Sequence, residues 1–561
     1  MSRRPPVAAL ALALVLAWLI GYPLLITAVD AFRGPGGGWT VAYLLQFCGR
    51  SDEWLALWRS LWISIASVAL AGVVGIPLAF VFERAEFPGR RLLGAVAALP
   101  VALPPLVGVI AFLFLYGESG FVSRAVQALL RLDHAPWRLA GPGAILLVHT
   151  YSFYVYFYLF TRVALARMDA ALLEAAASLG AGRVRALLRV TLPLLRPALA
   201  GAALLTFMTA LASFSAPYLF GGGFRVMPTQ ILASKLNGNR ELSEVETVML
   251  AALALGGLWL SRRVGGADLP TGVRGVAPVR HRVSSRLWRA AAATLGYGLA
   301  LVLLLPHLVM ILISLVPART WIAEAFPPVL NLGNYAQLGD REHLRPIVNS
   351  LWMAAAATAG ALALGFGAAR CVAGAAKSRG DGSAGSRGRR RLGALLETLL
   401  GLPWAIPGTV FAVALATTFS VDAPWLGRWV LIGTPWILPL AYLVRSLPLT
   451  GRAALAGLRA LDPALEEAAA VLGAGWWRSL GRVTLPLLRP ALAAGAGLAF
   501  ITALGDFVTS VVLYTYDTRP IAIEILANVQ LQDLGMGAVY GVLLMAGSAA
   551  AFALWGREAA G

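Results

Sequence analysis

The chain has 561 residues, of which 59% are hydrophobic and 13% charged, and its mean hydropathy is +0.75. Soluble domains are nearer half apolar and a quarter charged. An ordinary cytosolic enzyme, a disordered chain and a coiled coil are therefore excluded, and a polytopic membrane protein is indicated. The net charge is +19, from 46 Lys+Arg against 27 Asp+Glu, and only Lys235 and Lys377 are lysines. Such a balance suits nucleic-acid binding or cytoplasmic loops. The arginines lie between apolar runs, so the loop reading holds and no nucleic-acid partner is expected.

In chain order, Arg3 and Arg4 precede an apolar run over 7–29. That run is too long for a secretory leader core and is read as an uncleaved first span. Further runs of about 20 residues, the length that crosses a bilayer, lie at 59–82, 92–116, 141–163, 197–220 and 245–260. The second half has them at 288–316, 347–370, 393–417, 427–448, 490–514 and 537–556. Pro100, Pro104 and Pro105 are expected to break the third. With the N-terminus inside, the loops carry 31 Lys+Arg on the inner side and 13 on the outer. That asymmetry fixes both termini in the cytoplasm. Cys48 and Cys371 make no disulfide framework, and no Cys/His cluster suggests a metal site.

Asp169–Ala200 and Asp462–Ala493 match at an offset of 293 residues and differ at seven of 32 positions. Each follows the fourth span of its half. The chain is thus two parallel repeats of six spans, related by an axis along the membrane normal. The boundaries fall at 1–260 for the first domain, 261–287 for a Gly/Pro/Arg-rich linker and 288–561 for the second domain. The run from Lys377 to Arg391 is a second loop of that composition.

Each repeated loop reads as two short helices. Asp169 and Asp462 cap the first, and Pro463 suits its first turn. Glu174 and Glu467 open an alanine run that stops at Gly180 and Gly473, since glycine tolerates the left-handed conformation. The second helix carries Arg185, Arg189 and Arg196, or Arg478, Arg482 and Arg489, at spacings of four and seven that place them on one face. Pro193/Pro197 and Pro486/Pro490 bend it. An amphipathic segment under lipid headgroups would explain the arginines. It would not require a Glu, small residues and a Gly in fixed register, so docking by another protein is preferred.

Both loops resemble the cytoplasmic signature of ABC-importer permeases, E-A-A-x3-G-x9-I-x-L-P. The first supplies Glu174, Ala175, Ala176, Gly180, Val190, Leu192 and Pro193. The second supplies Glu467, Ala468, Ala469, Gly473, Val483, Leu485 and Pro486, with Val for Ile in both. The resemblance implies an all-α integral membrane protein of about 12 helices in two six-helix repeats of the type I importer kind. It implies that the loops are coupling helices for two copies of an ABC ATPase subunit. It also implies a periplasmic or lipid-anchored binding protein and the bacterial inner membrane. Single chains with two such halves are similar to the fused permeases of iron(III) and thiamine importers.

A P-loop needs Gly-Lys-Ser/Thr. Lys235 follows Ser234 and Lys377 follows Ala376, so this chain has no such motif. ATP and Mg are expected to be used by the partner subunits, and no cofactor or catalytic residue is expected here. For the solute path, Asp506 in ITALGDF is singled out as an acid within a span, where charge is costly and often functional. Its counterpart at the offset is Ser213. The alternative is that Asp506 caps a helix break after Gly505. Tyr151, Tyr154, Tyr158 and His149 read as packing. SFSAPYLFGGG and LGDFVTSVVLYTYDTRPIAIEIL resemble the iron(III) branch, which usually has Glu at the position of Asp506. Ferric iron is the preferred solute, with thiamine, phosphonate, polyamine or sulfate as alternatives. An ion-coupled secondary transporter is the alternative of another class.

Overall fold

In this computed structural model, residues 6–34, 37–102, 104–264, 281–282, 286–317, 329–377 and 384–560 are described. Most of the 261–287 linker lies outside them, as does part of the Lys377–Arg391 run. Nearly every described segment outside the loops is helical. The named strands are two residues each, Ala85–Glu86 beside His281–Arg282 in parallel.

The first half contains α1 (Val7–Asp30), α2 (Ser51–Arg84), α3 (Pro105–Tyr116) and α4 (Gly141–Arg167). It continues with α5 (Ala170–Ser178), α6 (Leu192–Leu211), α7 (Met227–Leu236) and α8 (Arg240–Val264). The second half contains α9 (Arg286–Ser314), α10 (Arg341–Lys377), α11 (Ala384–Ala405), α12 (Gly408–Thr418) and α13 (Ile437–Ala460). It ends with α14 (Pro463–Val471), α15 (Leu485–Leu504), α16 (Ile521–Gln530) and α17 (Leu534–Ala560).

Each of the twelve sequence spans holds a helix. Ten are long and apolar enough to cross a bilayer, and α11 with α12, bent by 109°, make an eleventh. The twelfth is α13, whose hydropathy is lowered by Arg445, Arg452 and Arg459. Proline breaks the third span of the first half as expected, and its counterpart in the second half is broken as well. Pro104 and Pro105 separate α3 from the short helix Arg90–Val96, and Pro407 stands at the bend before α12. Proline has no N–H to give an i−4 carbonyl, which weakens the helix at these places.

Three sequence boundaries are corrected. The span placed at 427–448 begins at Ile437, because Gly427 (φ +69°) and Gly433 (φ +85°) hold the preceding apolar run in turns. Trp18 Nε1 donates to Gly427 O at 2.9 Å and pins that run as a loop. Arg445, counted as a loop cation, therefore lies within a helix. The spans at 197–220 and 490–514 stop at Leu211 and Leu504 and continue as the short helices Ser215–Phe220 and Ser510–Leu513. Nor is Asp506 alone. Glu246, already inside the sixth sequence span, is buried in α8, and with α2 starting at Ser51 and α8 at Arg240, Glu53 and Glu244 are buried in helices too.

The repeat is visible in hydrogen bonding. The first N–H of a helix lacks an internal partner. That of Met227, opening α7, donates to Ser60 Oγ on α2 at 2.7 Å. That of Ile521, opening α16, donates to Ser350 Oγ on α10 at 2.8 Å. The first helix of each half also packs across the boundary between halves. The last part of α1 packs on α12, and α9 packs on α3. Thr417 of α12 donates to Glu244 Oε1 of α8 at 3.2 Å. One apolar core accordingly runs through both halves, joining Leu106, Ile110 and Phe214 to Met310, Ala412 and Phe507.

Candidate functional site

The two repeated loops fold alike. Asp169 Oδ1 accepts the Ala171 N–H at 3.0 Å, and Asp462 Oδ1 accepts that of Ala464 at 2.9 Å. Gly180 and Gly473 end the helices at φ +75° and +76°. Ala181 N–H then reaches Ala176 O, and Gly180 N–H reaches Ala177 O, both at 2.9 Å. Ala474 to Ala469 and Gly473 to Ala470 repeat this at 2.9 and 3.0 Å. This six-to-one and five-to-two pattern is the Schellman stop, which leaves the chain reversed and its last carbonyls satisfied. A Cβ at either glycine would meet nothing within 4 Å, so backbone conformation alone demands glycine there.

The second helix of each loop widens into a π turn, Leu187–Thr191 and Leu480–Thr484. Pro193 and Pro486 follow at the second position of α6 and α15 and cannot donate to the carbonyl four residues back. Leu192 N–H instead bonds five residues back, to Leu187 O, and Leu485 to Leu480 O. A π turn takes an extra residue, so the α-helical spacing that put the three arginines on one face does not carry across it.

Glu174, Ala175, Gly180, Pro193 and their counterparts Glu467, Ala468, Gly473 and Pro486 are exposed. Ala176 and Ala469 turn inward against the chain, each 9% exposed, so they serve packing and not an outer surface. Leu192 is half-buried and Leu485 is exposed. Around the glutamates stand Leu179, Val471 and Leu472, each more than 85% exposed, and Trp477 at 78%. The loops thus offer an apolar rim with a carboxylate, a form suited to a protein partner.

At the helix breaks, Asp506 is buried. Its Oδ1 accepts the Thr509 N–H at 2.8 Å, and Oδ2 accepts from Thr509 Oγ1 and lies 3.2 Å from Arg445 Nη1. Asp506 therefore caps the restart after Gly505 and is ion-paired. Sequence reasoning missed Arg445 because it counted that residue outside the membrane. Ser213 hydrogen-bonds His149 Nε2 at 2.8 Å, while His149 Nδ1 bonds Ser67 Oγ at 2.8 Å. The two breaks meet between the halves. Phe214 and Phe507, one residue beyond Ser213 and Asp506, are both buried, with ring centroids 5.7 Å apart. The tyrosine stripe packs: Tyr154 and Tyr158 donate to Ala97 O and Gly94 O, and Tyr151 to Leu303 O of the other half.

An all-helical bundle with two repeats, broken helices at their interface and a paired exposed loop defines a membrane transport subunit. The chain matches the family of binding-protein-dependent transport system inner membrane components over residues 71–264 and 382–557, and it belongs to that family. It is 30% identical over 502 residues to a probable ABC transporter permease protein of Sinorhizobium fredii, covering 88% of this chain and 86% of that one. The ferric transport system permease protein FbpB of Actinobacillus pleuropneumoniae is 26% identical, over 96% of this chain and 76% of its own. The thiamine transport system permease protein ThiP of Escherichia coli is also 26% identical, over 81% and 82%. This membership makes the chain a transport component of a binding-protein-dependent ABC importer and removes the secondary-transporter reading.

Proposed function

We propose that this chain is the permease through which ferric iron passes from a periplasmic or lipid-anchored binding protein into the cytoplasm. It sits in the bacterial inner membrane with both termini in the cytoplasm, contacts lipid around its two halves, and comprises domains 1–260 and 288–561 joined by a linker at 261–287. The loops 169–200 and 462–493 each dock one copy of a separate ATPase subunit. The observation that carries this reading is the duplicated stop at Gly180 and Gly473, which presents Glu174 and Glu467 in the same exposed pose. ATP and Mg are used by those subunits, because this chain has no Gly-Lys-Ser/Thr sequence.

The mechanism is alternating access. ATP closes the ATPase pair, both loops move, and the halves rock about their shared axis. Nucleotide drives this only through different affinities for the two states. The path runs between the halves beside Ser213 and Asp506. Arg445 balances the Asp506 charge, so Asp506 acts there as part of a fixed pair.

The ferric relative supports iron as solute, and the thiamine relative supports thiamine as the second reading. Purification of the tagged chain should bring down an ATPase subunit. The partner binding protein should then bind ferric iron in calorimetry. Thiamine binding without iron binding would transfer the assignment to thiamine.

A further inference from the structure

We infer that Arg370 positions the second repeated loop through Glu466, whereas the first loop is seated by an apolar contact at the same place. The inference rests on reading the loops as ATPase-docking elements.

Arg370 lies seven residues before the end of α10. Its Nη1 is 3.4 Å from Glu466 Oε1 on α14, and its guanidinium carbon is 5.7 Å from the Trp476 ring centre. Buried Thr484, in the π turn, donates to the same Glu466 Oε1 at 3.0 Å. One carboxylate therefore ties together the end of a spanning helix, the first loop helix and the turn leading into α15. The Arg370 and Glu466 side chains are 25% and 29% exposed, so the pair is partly shielded from solvent and salt. Glu466 is not the motif glutamate. Its neighbour Glu467 is exposed, while Glu466 faces the chain's own helix.

The repeat supplies an internal comparison. Ser60 and Ser350 align α2 with α10, which puts Phe80 where Arg370 stands. The loop offset puts Leu173 where Glu466 stands. Phe80 and Leu173 both pack against the apolar cluster of Leu165, Met168 and Leu195. The two positions thus differ in character together, Phe and Leu against one shared apolar cluster in the first half and Arg with Glu in the second. A change of only one member would leave a shielded charge without a partner. Arg183 likewise occupies the position of Trp476, so only the second loop places a ring beside the cation.

The two loops therefore pass force to their spanning helices differently. The apolar seat is indifferent to salt. The ion pair's strength depends on charge. A pair of this exposure is worth about a two- to fivefold change in an equilibrium.

The test uses the full-length chain, alone and copurified with its ATPase subunit. Backbone hydrogen exchange is followed in 169–191 and 462–484, and ATP hydrolysis is measured per complex. Glu466→Gln should speed exchange about two- to fivefold in 462–484 and leave 169–191 unchanged. ATP hydrolysis by the complex should fall by a similar factor. The exchanged pair Arg370→Glu with Glu466→Arg, and separately Glu466→Asp, should restore both readouts. Unchanged exchange in Glu466→Gln, or no restoration by either rescue, overturns the positioning role. Faster exchange with unaltered ATP hydrolysis overturns its link to the ATPase. A wild-type chain that binds no ATPase sinks the docking reading, while the exchange data still judge the contact.

Discussion

Phe214 and Phe507 pack ring to ring across the two halves, 5.7 Å between centroids, and each stands three residues beyond the end of a spanning helix. They are the same position of the repeat, and Tyr218 stacks on Phe214 at 5.2 Å. Two buried rings from equivalent positions thus meet between the halves with apolar surface. Phe507→Ala should cost about 3–5 kcal/mol of stability, as large-to-small changes in a core do. It should also make reconstituted vesicles leak a small dye without ATP. Vesicles as tight as those with the wild type would show that the rings close no path.

Gly473 is held at φ +76° with open space around it. Proline, fixed near φ −65°, cannot take that conformation. Gly473→Pro and Gly180→Pro should leave the spans folded but separate ATP hydrolysis from solute uptake. Gly473→Ala should be milder, because a left-handed alanine costs about 1–2 kcal/mol. Solute uptake and ATP hydrolysis measured on the same vesicles test this. Normal uptake by a stable Gly473→Pro chain would falsify it.

Asp506 and Arg445 form a pair in which the acid side chain is 3% exposed and the cation 26%. Removing one partner of a buried pair costs about 3–5 kcal/mol. Asp506→Ala should approach that loss, since the cap on Thr509 goes too. Asp506→Asn keeps an acceptor for the Thr509 N–H and should be milder. Arg445→Met combined with Asp506→Asn should cost less than the sum of the single changes. Thermal unfolding in detergent measures the cycle. Unchanged solute uptake by Asp506→Asn would dispose of any role for its charge in the path.

Ser60 and Ser350 each satisfy the opening N–H of a short helix. Leaving such a donor unpaired costs about 1–3 kcal/mol. Ser60→Ala and Ser350→Ala should each lower the unfolding temperature. Combined, they should add, because they share no hydrogen-bond partner. A silent Ser350→Ala would mean that water replaces the hydroxyl without loss.

Much of the candidate site was legible beforehand because its signals are local. Capping aspartates and the glycine stops act within four or five residues, and both appear where their spacing placed them. The boundary of α13 was not legible. An apolar run such as WLGRWVLIG has span-like composition, yet Gly427 and Gly433 turn it into a loop, and Arg445 moves inside as a result. The helices α7 and α16 were also missed, being too short to register as spans. Glu466 had a faint signal as one of the seven loop differences, but its partner Arg370 lies 96 residues earlier.

The sequence by itself determined that this is a helical membrane protein built twice over, with two identically stopped loops and no P-loop lysine. Those facts follow from composition, period and local backbone chemistry. Only the tertiary structure decided that α1 and α9 pack across to the opposite half, that the broken helices meet at Phe214 and Phe507, and that Asp506 is paired with Arg445. Hydropathy says that a side chain leaves water. It does not say which of many equally apolar helices receives it. That choice is made by packing and by the few buried polar groups that must find one another.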